Sequence, residues 1–261
     1  MELVVRLNDK EYTNWLKAGR CLYILKDALH PYTDEQMRAF HRALLRDNPR
    51  LREQCPRSCQ SGDIKLSRAC GLCLQWKSEI LNHHRQPGST LNWDNCSPPA
   101  WRTNHWELAK AYMPRGQAHV NAAHQCDPSA LLNLINFCDC FGSVDVHSSH
   151  VRELIRCRND LMHSPDLHVK EAWMKKFKVV LRRFVQLFSQ VPSMALAEPR
   201  LAQVSVSVRP CLCSTLAVHC FFFSQDTEQL MMLDGFLQEN KDLGQRFSGE
   251  FGPKMKARLM V

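Results

Sequence analysis

No apolar run in this 261-residue chain is long enough to cross a bilayer as a helix. The most apolar tract, Cys211 to Phe223, is too short, and Arg209–Pro210 and His219 interrupt the region. A secretory leader is not expected, because Met1 to Lys10 alternates apolar and charged residues and lacks an apolar stretch. There is no P-loop, dinucleotide glycine fingerprint, nucleophile elbow or kinase motif set, and those enzyme classes lose support. A catalytic zinc loses support too, since no His-Glu-x-x-His pair occurs. No internal repeat is present, and no strand-rich region supports a sheet domain. What these absences leave is an all-α, intracellular protein, cytoplasmic or nuclear, with no membrane partner.

The composition is that of a globular chain, 44% hydrophobic and 23% charged. The length fits one domain of about 190 residues followed by a tail. Basic residues number 34 against 26 acidic ones, a net charge of +8. That balance suits an anionic partner such as RNA or an acidic protein surface. Thirteen cysteines without a leader read as free thiols, some of them holding metal, rather than as a disulfide framework. Cys21, Cys138 and Cys157 read as small core residues.

Helical spacing recurs along the first 195 residues. Trp15, Ala18, Leu22, Leu25 and Leu29 form one stripe, which Pro31 is expected to stop. Thr33 and Gln36 then look like a capping box before Met37, Phe40 and Leu44. Cys73, Trp76, Ile80 and His83 or His84 mark a third helix. Asn104 is placed to cap a short helix through Trp106, Ala109 and Met113. Asp127–Pro128 is a strong start signal, a cap oxygen followed by proline at the first helical position, for a helix through Leu131, Leu134, Ile135 and Cys138. Ser148 or Ser149 is the expected cap of the next helix.

The longest regular element is expected over about 168–191. Trp173, Phe177, Val180, Phe184, Leu187 and Val191 line one face, and Lys175, Lys176, Lys178, Arg182 and Arg183 cover much of the rest. That basic face is either a solvated side or a phosphate contact. Residues 47–104 read as an irregular Cys- and Trp-rich insertion in which Trp93 and Trp101 either stack bases or pack over their loops. Residues 196–261 read as a variable tail, with 203–223 contributing little to the core and one more helix over Asp226 to Phe247.

Two constellations carry chemistry. Cys55 and Cys59 are four apart, and Cys70 and Cys73 follow as a second short pair. Thiolates in paired short spacing suit a structural zinc. A downstream histidine could replace one cysteine. The plainer reading is four free thiols, with Cys73 on a helix face.

The second constellation is Arg158, Asn159 and His163. The helix over 149–163 has an apolar stripe of Val151, Leu154, Ile155, Leu161 and Met162. Arg158 and Asn159 interrupt it. Buried polar groups need partners or a cleft. Asn159 and His163 share one side of the helix. Arg158 and His163 stand about 140° apart on a straight helix, a gap that a long arginine can close. One reading is structural: a buried pair for Arg158, a cap from Asn159, and packing by His163.

The other reading comes from a resemblance. Arg-Asn-Asp-Leu-Met-His at 158–163 resembles the Arg-x4–6-His signature of HEPN domains. Arg156 also satisfies the spacing, so the choice of arginine stays open. Trp-Asp-Asn-Cys at 93–96, Trp-Glu-Leu-Ala-Lys-Ala-Tyr-Met-Pro at 106–114 and Ala-Leu-Leu-Asn-Leu-Ile-Asn at 130–136 are similar to the HEPN-like domain of DZIP3-type ubiquitin ligases. So is Arg-Asn-Asp-Leu-Met-His-Ser at 158–164.

The resemblance covers roughly 5–195 and implies a HEPN-type helical bundle, often a homodimer, directed at RNA. It implies metal-independent endoribonuclease chemistry, with His163 moving the proton of a ribose 2′-hydroxyl, Arg158 holding the phosphate and Asn159 orienting either. The ligase's RING finger has no counterpart here, so ubiquitin transfer does not follow. The competing function is a non-catalytic RNA- or protein-binding module in immune or ubiquitin-linked signalling.

Overall fold

The computed structural model describes residues 9–86, 91–142, 145–164 and 166–206. Among them there is no strand, only one isolated bridge between His84 and Cys138. The architecture is an all-α helical bundle with an irregular Cys-rich insertion. No described helix is long and apolar enough to cross a membrane. The tract 207–223 and the helix expected over Asp226–Phe247 lie outside the described residues.

The helices are α1 (Lys10–Asp47), α2 (Ser61–Lys65), α3 (Gly71–Asn82), α4 (His105–Ala109), α5 (Pro128–Phe137), α6 (Asp145–Met162), α7 (Glu171–Leu187) and α8 (Pro192–Val206), joined by short 3-10 turns. The expected stop at Pro31 is overturned. α1 is one helix of 38 residues with Pro31 inside it. An interior proline costs ~3 kcal/mol. Continuing the helix keeps Leu29, Thr33, Met37, Phe40 and Leu44 on one buried stripe. Burying a large apolar side chain gives about 1.5–3 kcal/mol, so the three large residues beyond the proline together outweigh its cost.

Side-chain hydroxyls also supply the carbonyls around the break. Thr33 Oγ1 donates to the carbonyls of Leu29 and His30 at 3.0 and 3.1 Å. Ser193 Oγ, from the start of α8, donates to the Ala28 carbonyl at 2.7 Å. Thr33 is thus an interior residue of α1 and not part of a capping box.

Two other boundaries differ from expectation. α6 begins at Asp145, ahead of the serines proposed as its cap. α7 spans Glu171–Leu187 and is shorter than α1. Its buried face is Met174, Phe177, Val180, Leu181, Phe184, Val185 and Phe188, turned from the expected stripe so that Trp173 and Leu187 are half-buried.

The chain divides into two compact units. One comprises the described parts of 1–21, 160–174 and 203–206; the other is 22–159 with 175–202. In the first, Asp9 starts α1 by accepting from the Glu11 and Tyr12 amides at 2.7 and 3.2 Å, and those bonds hold its carboxyl below the usual value. Trp15 donates its indole N–H to the Leu161 carbonyl at 3.0 Å, and the Val169 amide reaches the Glu11 carbonyl at 3.1 Å.

In the larger unit, the 91–126 segment has no long helix and is held by buried polar bonds. Asn95 donates to the carbonyls of Lys110 and Pro114 and accepts from the Gln117 amide. Glu107 and Lys110 form a buried ion pair at 2.6 Å. The Glu107 carboxylate also accepts from the Ser97 amide, and the Lys110 ammonium donates to the Ala118 carbonyl. Both charges are therefore hydrogen-bonded as well as paired, the condition for a tolerable buried pair. Trp93 and Trp101 are buried, Trp101 packs against both Trp76 and Trp93, and His41 stacks on Trp76 while contacting the Trp101 carbonyl at 2.6 Å.

Candidate metal centre and the Arg158 helix

Cys55, Cys59, Cys70 and Cys73 converge. Their four sulfurs lie within 4.8 Å of one another, and all four residues are buried. Cys55 Sγ is 3.7 Å from Cys70 Sγ and 3.5 Å from Cys73 Sγ. Tetrahedral bonds of about 2.3 Å to zinc would place sulfurs about 3.8 Å apart, so the cluster has the size of a four-thiolate site.

The chain is shaped to make it. Ser58 and Ser67 take left-handed φ values of 47° and 54°, turning the backbone just before Cys59 and Cys70. The Cys59 amide then points at Cys55 Sγ (3.5 Å), and the Cys70 amide at Cys59 Sγ (3.2 Å). Between the turns, the short α2 is fixed by the Gln60 amide donating to Asp63 at 2.9 Å, and by Lys77, which donates to the Ile64 carbonyl at 2.8 Å. A Lys65–Asp94 ion pair ties α2 to the following turn. Cys73 enters from the first turn of α3.

The electrostatics are uneven across the four sulfurs. Burial raises the Cys55 thiol, but the amides of Cys59 and Arg57 and the neighbouring Cys73 and Cys70 thiols outweigh it and bring Cys55 down to about 6. Burial, with hydrogen bonding to neighbouring sulfurs, pushes Cys59 and Cys73 up. One thiolate forms readily and repels a second. A divalent cation removes that repulsion and ionises coordinating thiols. The residues present fit a soft divalent metal such as zinc. His83 and His84 take no part: His83 bonds Asp139 at 3.0 Å, and His84 stacks between Tyr112 and Phe137.

The second constellation lies at the C-terminal end of α6 and just beyond it. On α6 the fully buried stripe is Val151, Leu154, Cys157 and Leu161, with Arg158 and Asn159 half-buried beside it. Arg158 Nη2 donates to Asp127 Oδ2 at 2.7 Å in a largely enclosed ion pair, and Nη1 donates to Asn159 Oδ1 at 3.3 Å. Asp127 also caps α5, its Oδ1 accepting from the Ala130 amide at 2.8 Å. One carboxylate therefore serves a helix end and a guanidinium together. Arg158 and Asn159 belong to the larger unit; His163 belongs to the smaller one and is exposed.

Cys21, Cys138 and Cys157 are buried, as expected of core thiols. Sequence reading missed the buried Glu107–Lys110 pair and the contact of Cys140 with Cys138 and Met37. The first could have been suspected from an i,i+3 charge pair in an otherwise apolar helix; the second had no local signal.

A family model described as a domain of unknown function, DUF4559, matches residues 6–217. The mouse (Mus musculus) protein described as "Uncharacterized protein CXorf38 homolog" is 39% identical over 212 residues, covering 79% of this chain and 65% of its own length. The chain thus spans just under two thirds of that curated relative. The sequence blocks quoted above also resemble the vertebrate protein encoded by chromosome X open reading frame 38, in accord with that match. No solved structure matches. With the family model spanning most of the chain, including the cysteine cluster and the Arg158 helix, this protein belongs to the DUF4559 family.

Proposed function

We propose that this chain is a non-catalytic RNA-binding helical module of HEPN-like type, stapled by a structural zinc at Cys55, Cys59, Cys70 and Cys73. The observation that carries the binding reading is the polar face of α7. Lys175, Lys176, Arg182 and Arg183 are exposed there and make no ion pair among the described residues. An uncompensated cationic row of this kind suits a phosphate backbone. The non-catalytic reading is supported by the Arg158–Asp127 pair: a guanidinium clamped to a helix-capping carboxylate is a poor phosphate clamp. The HEPN-like element of the proposal draws on the sequence blocks alone.

The test is fluorescence anisotropy of zinc-loaded protein with single-stranded RNA over a range of salt. Reversing two α7 charges, in Lys175→Glu with Lys176→Glu, is expected to reduce the log–log salt slope by about 1.4 if each contacts one phosphate. An unchanged slope and affinity rejects the α7 surface. The exposed His163 keeps the endoribonuclease reading alive as the second one. Incubation of the same RNA without added divalent metal decides it: cleavage lost in His163→Ala supports the enzyme, and intact RNA supports the binding module.

A further inference from the structure

A second sulfur cluster lies in the larger unit. Cys138 Sγ is 3.3 Å from Cys140 Sγ, and Cys140 Sγ is 3.7 Å from Met37 Sδ. Three sulfurs from α1 and from the turn after α5 thus meet in series. Met37 and Cys138 are buried, whereas Cys140 is half-buried and offers a route in from solvent.

The Cys-x-Cys turn is rigidly held. The Asp139 amide donates to the His83 carbonyl at 3.1 Å, and the Arg85 amide to the Phe137 carbonyl at 2.8 Å. The Arg85 guanidinium donates to the Gly142 carbonyl at 2.8 Å. Gly142 has φ +93°, which closes the turn in a conformation that side chains disfavour. The segment 83–85 therefore clamps 137–142 along its length, and neither cysteine depends on a flexible loop.

We propose that Cys138, Cys140 and Met37 form a binding site for a soft monovalent metal ion, copper(I), separate from the four-cysteine centre. The donor set selects the ion. Thiolate and thioether sulfur together favour copper(I), whereas zinc takes four nitrogen, oxygen or thiolate ligands and gains little from a thioether. Two of the three sulfur–sulfur edges are close to what is needed. Three bonds of about 2.3 Å in a plane, the metal–thiolate length quoted for zinc, put sulfurs about 4.0 Å apart. The two observed contacts would each open by well under an ångström.

Charge is compatible too. Two thiolates and one copper(I) leave a single negative charge, and the Arg85 guanidinium beside the turn carries the opposite one. Binding is an exchange without redox change: two thiols release two protons as two metal–sulfur bonds form, and the thioether adds a lone pair. His84 contacts the Gln86 carbonyl, and Tyr112 donates to the Ile80 carbonyl while its phenol also lies against the Cys138 thiol.

The test uses the full chain, zinc-loaded, titrated anaerobically with copper(I) against a chromogenic copper(I) chelator. One copper per chain is expected, with zinc retained and X-ray absorption showing sulfur neighbours alone. Cys140→Ser is expected to weaken binding by at least about 100-fold, and Met37→Leu by about tenfold, the scale on which groups supporting a metal site act. Met37→Leu conserves volume, so a melting curve near wild type keeps that result interpretable. Cys126→Ser serves as the control: its sulfur also touches a methionine, Met113, at 4.0 Å but contacts no second thiol among the described residues. Copper that enters only by expelling zinc, or that binds Cys140→Ser as it binds wild type, overturns the site. So does a fully sulfur-ligated copper unaffected by Met37→Leu, which reduces the cluster to a bare dithiol.

Discussion

The Cys55–Cys73 segment and the Arg158–His163 stretch were the two places where residue chemistry pointed to a site, and the structure treats them in opposite ways. In the first, side chains up to eighteen positions apart bring their sulfurs within 4.8 Å of one another. In the second, side chains five positions apart go to different surroundings: Arg158 to the α5 cap, His163 to solvent. The difference is physical. The 47–70 stretch buries few apolar groups besides Leu51, Ile64 and Ala69, and the turns at Ser58 and Ser67 bring its sulfurs together. Arg158 and Asn159 lie within α6, where the backbone fixes each side chain's direction, whereas His163 follows the helix's last residue, Met162.

Removing the metal is the strongest way to break that comparison. Cys59→Ser, or extraction of zinc by a chelator, is expected to release the 53–70 segment and cost on the order of 4 kcal/mol, as loss of a structural metal does. For a chain of this size that is a fall in melting temperature of about 8–16 °C. Trypsin reports it directly, since Arg57 and Arg68 lie within the segment and become cleavage sites. Resistance at both arginines in the metal-free protein would show that the loop holds without an ion.

A smaller effect tests whether Arg158 is structural. Asp127→Asn keeps the α5 cap, because asparagine caps as well as aspartate, but removes the ion pair. Asp127→Ala removes both. Losses of about 1–2 kcal/mol for the first and about 1 kcal/mol more for the second are expected, the ion pair being discounted for its partial exposure. A double-mutant cycle of Asp127→Asn with Arg158→Met should give a coupling above about 0.5 kcal/mol. Additive losses would free Arg158 for another role.

The pH dependence separates buried from exposed histidines. Burial lowers the pKa of His41 and His84, and of the less buried His30, each from the ordinary imidazole value of 6.5. Below 6.5 the unfolded chain binds protons that the folded chain refuses, so stability is complete above that value and falls as the pH drops beneath it. His41→Gln is expected to flatten the fall in urea-denaturation midpoint between pH 7 and 5. The smallest expected effect is that of His163→Gln, which lies at the surface and should change stability by less than about 0.5 kcal/mol. A larger loss would place His163 in a packing role that its exposure does not suggest.

Sequence alone determined the all-α class, the Asp127–Pro128 start of α5 and the Asn104 cap of α4, and it offered the four cysteines as one of two readings. Each is a local signal: a cap, a 3.6-residue period, or two short spacings that share one ligand chemistry. Only the tertiary structure decided that α1 runs through Pro31, because the burial that offsets a broken helical bond lies on residues distant in the chain. It also decided which polar residue interrupting the α6 stripe finds a partner, since Asp127 is 31 positions from Arg158. The meeting of Met37 with Cys140 spans 103 positions and has no periodicity to announce it. A local pattern specifies which way a side chain points from its own helix; what stands opposite is set by packing, and packing is where the chemistry of both sulfur clusters is made.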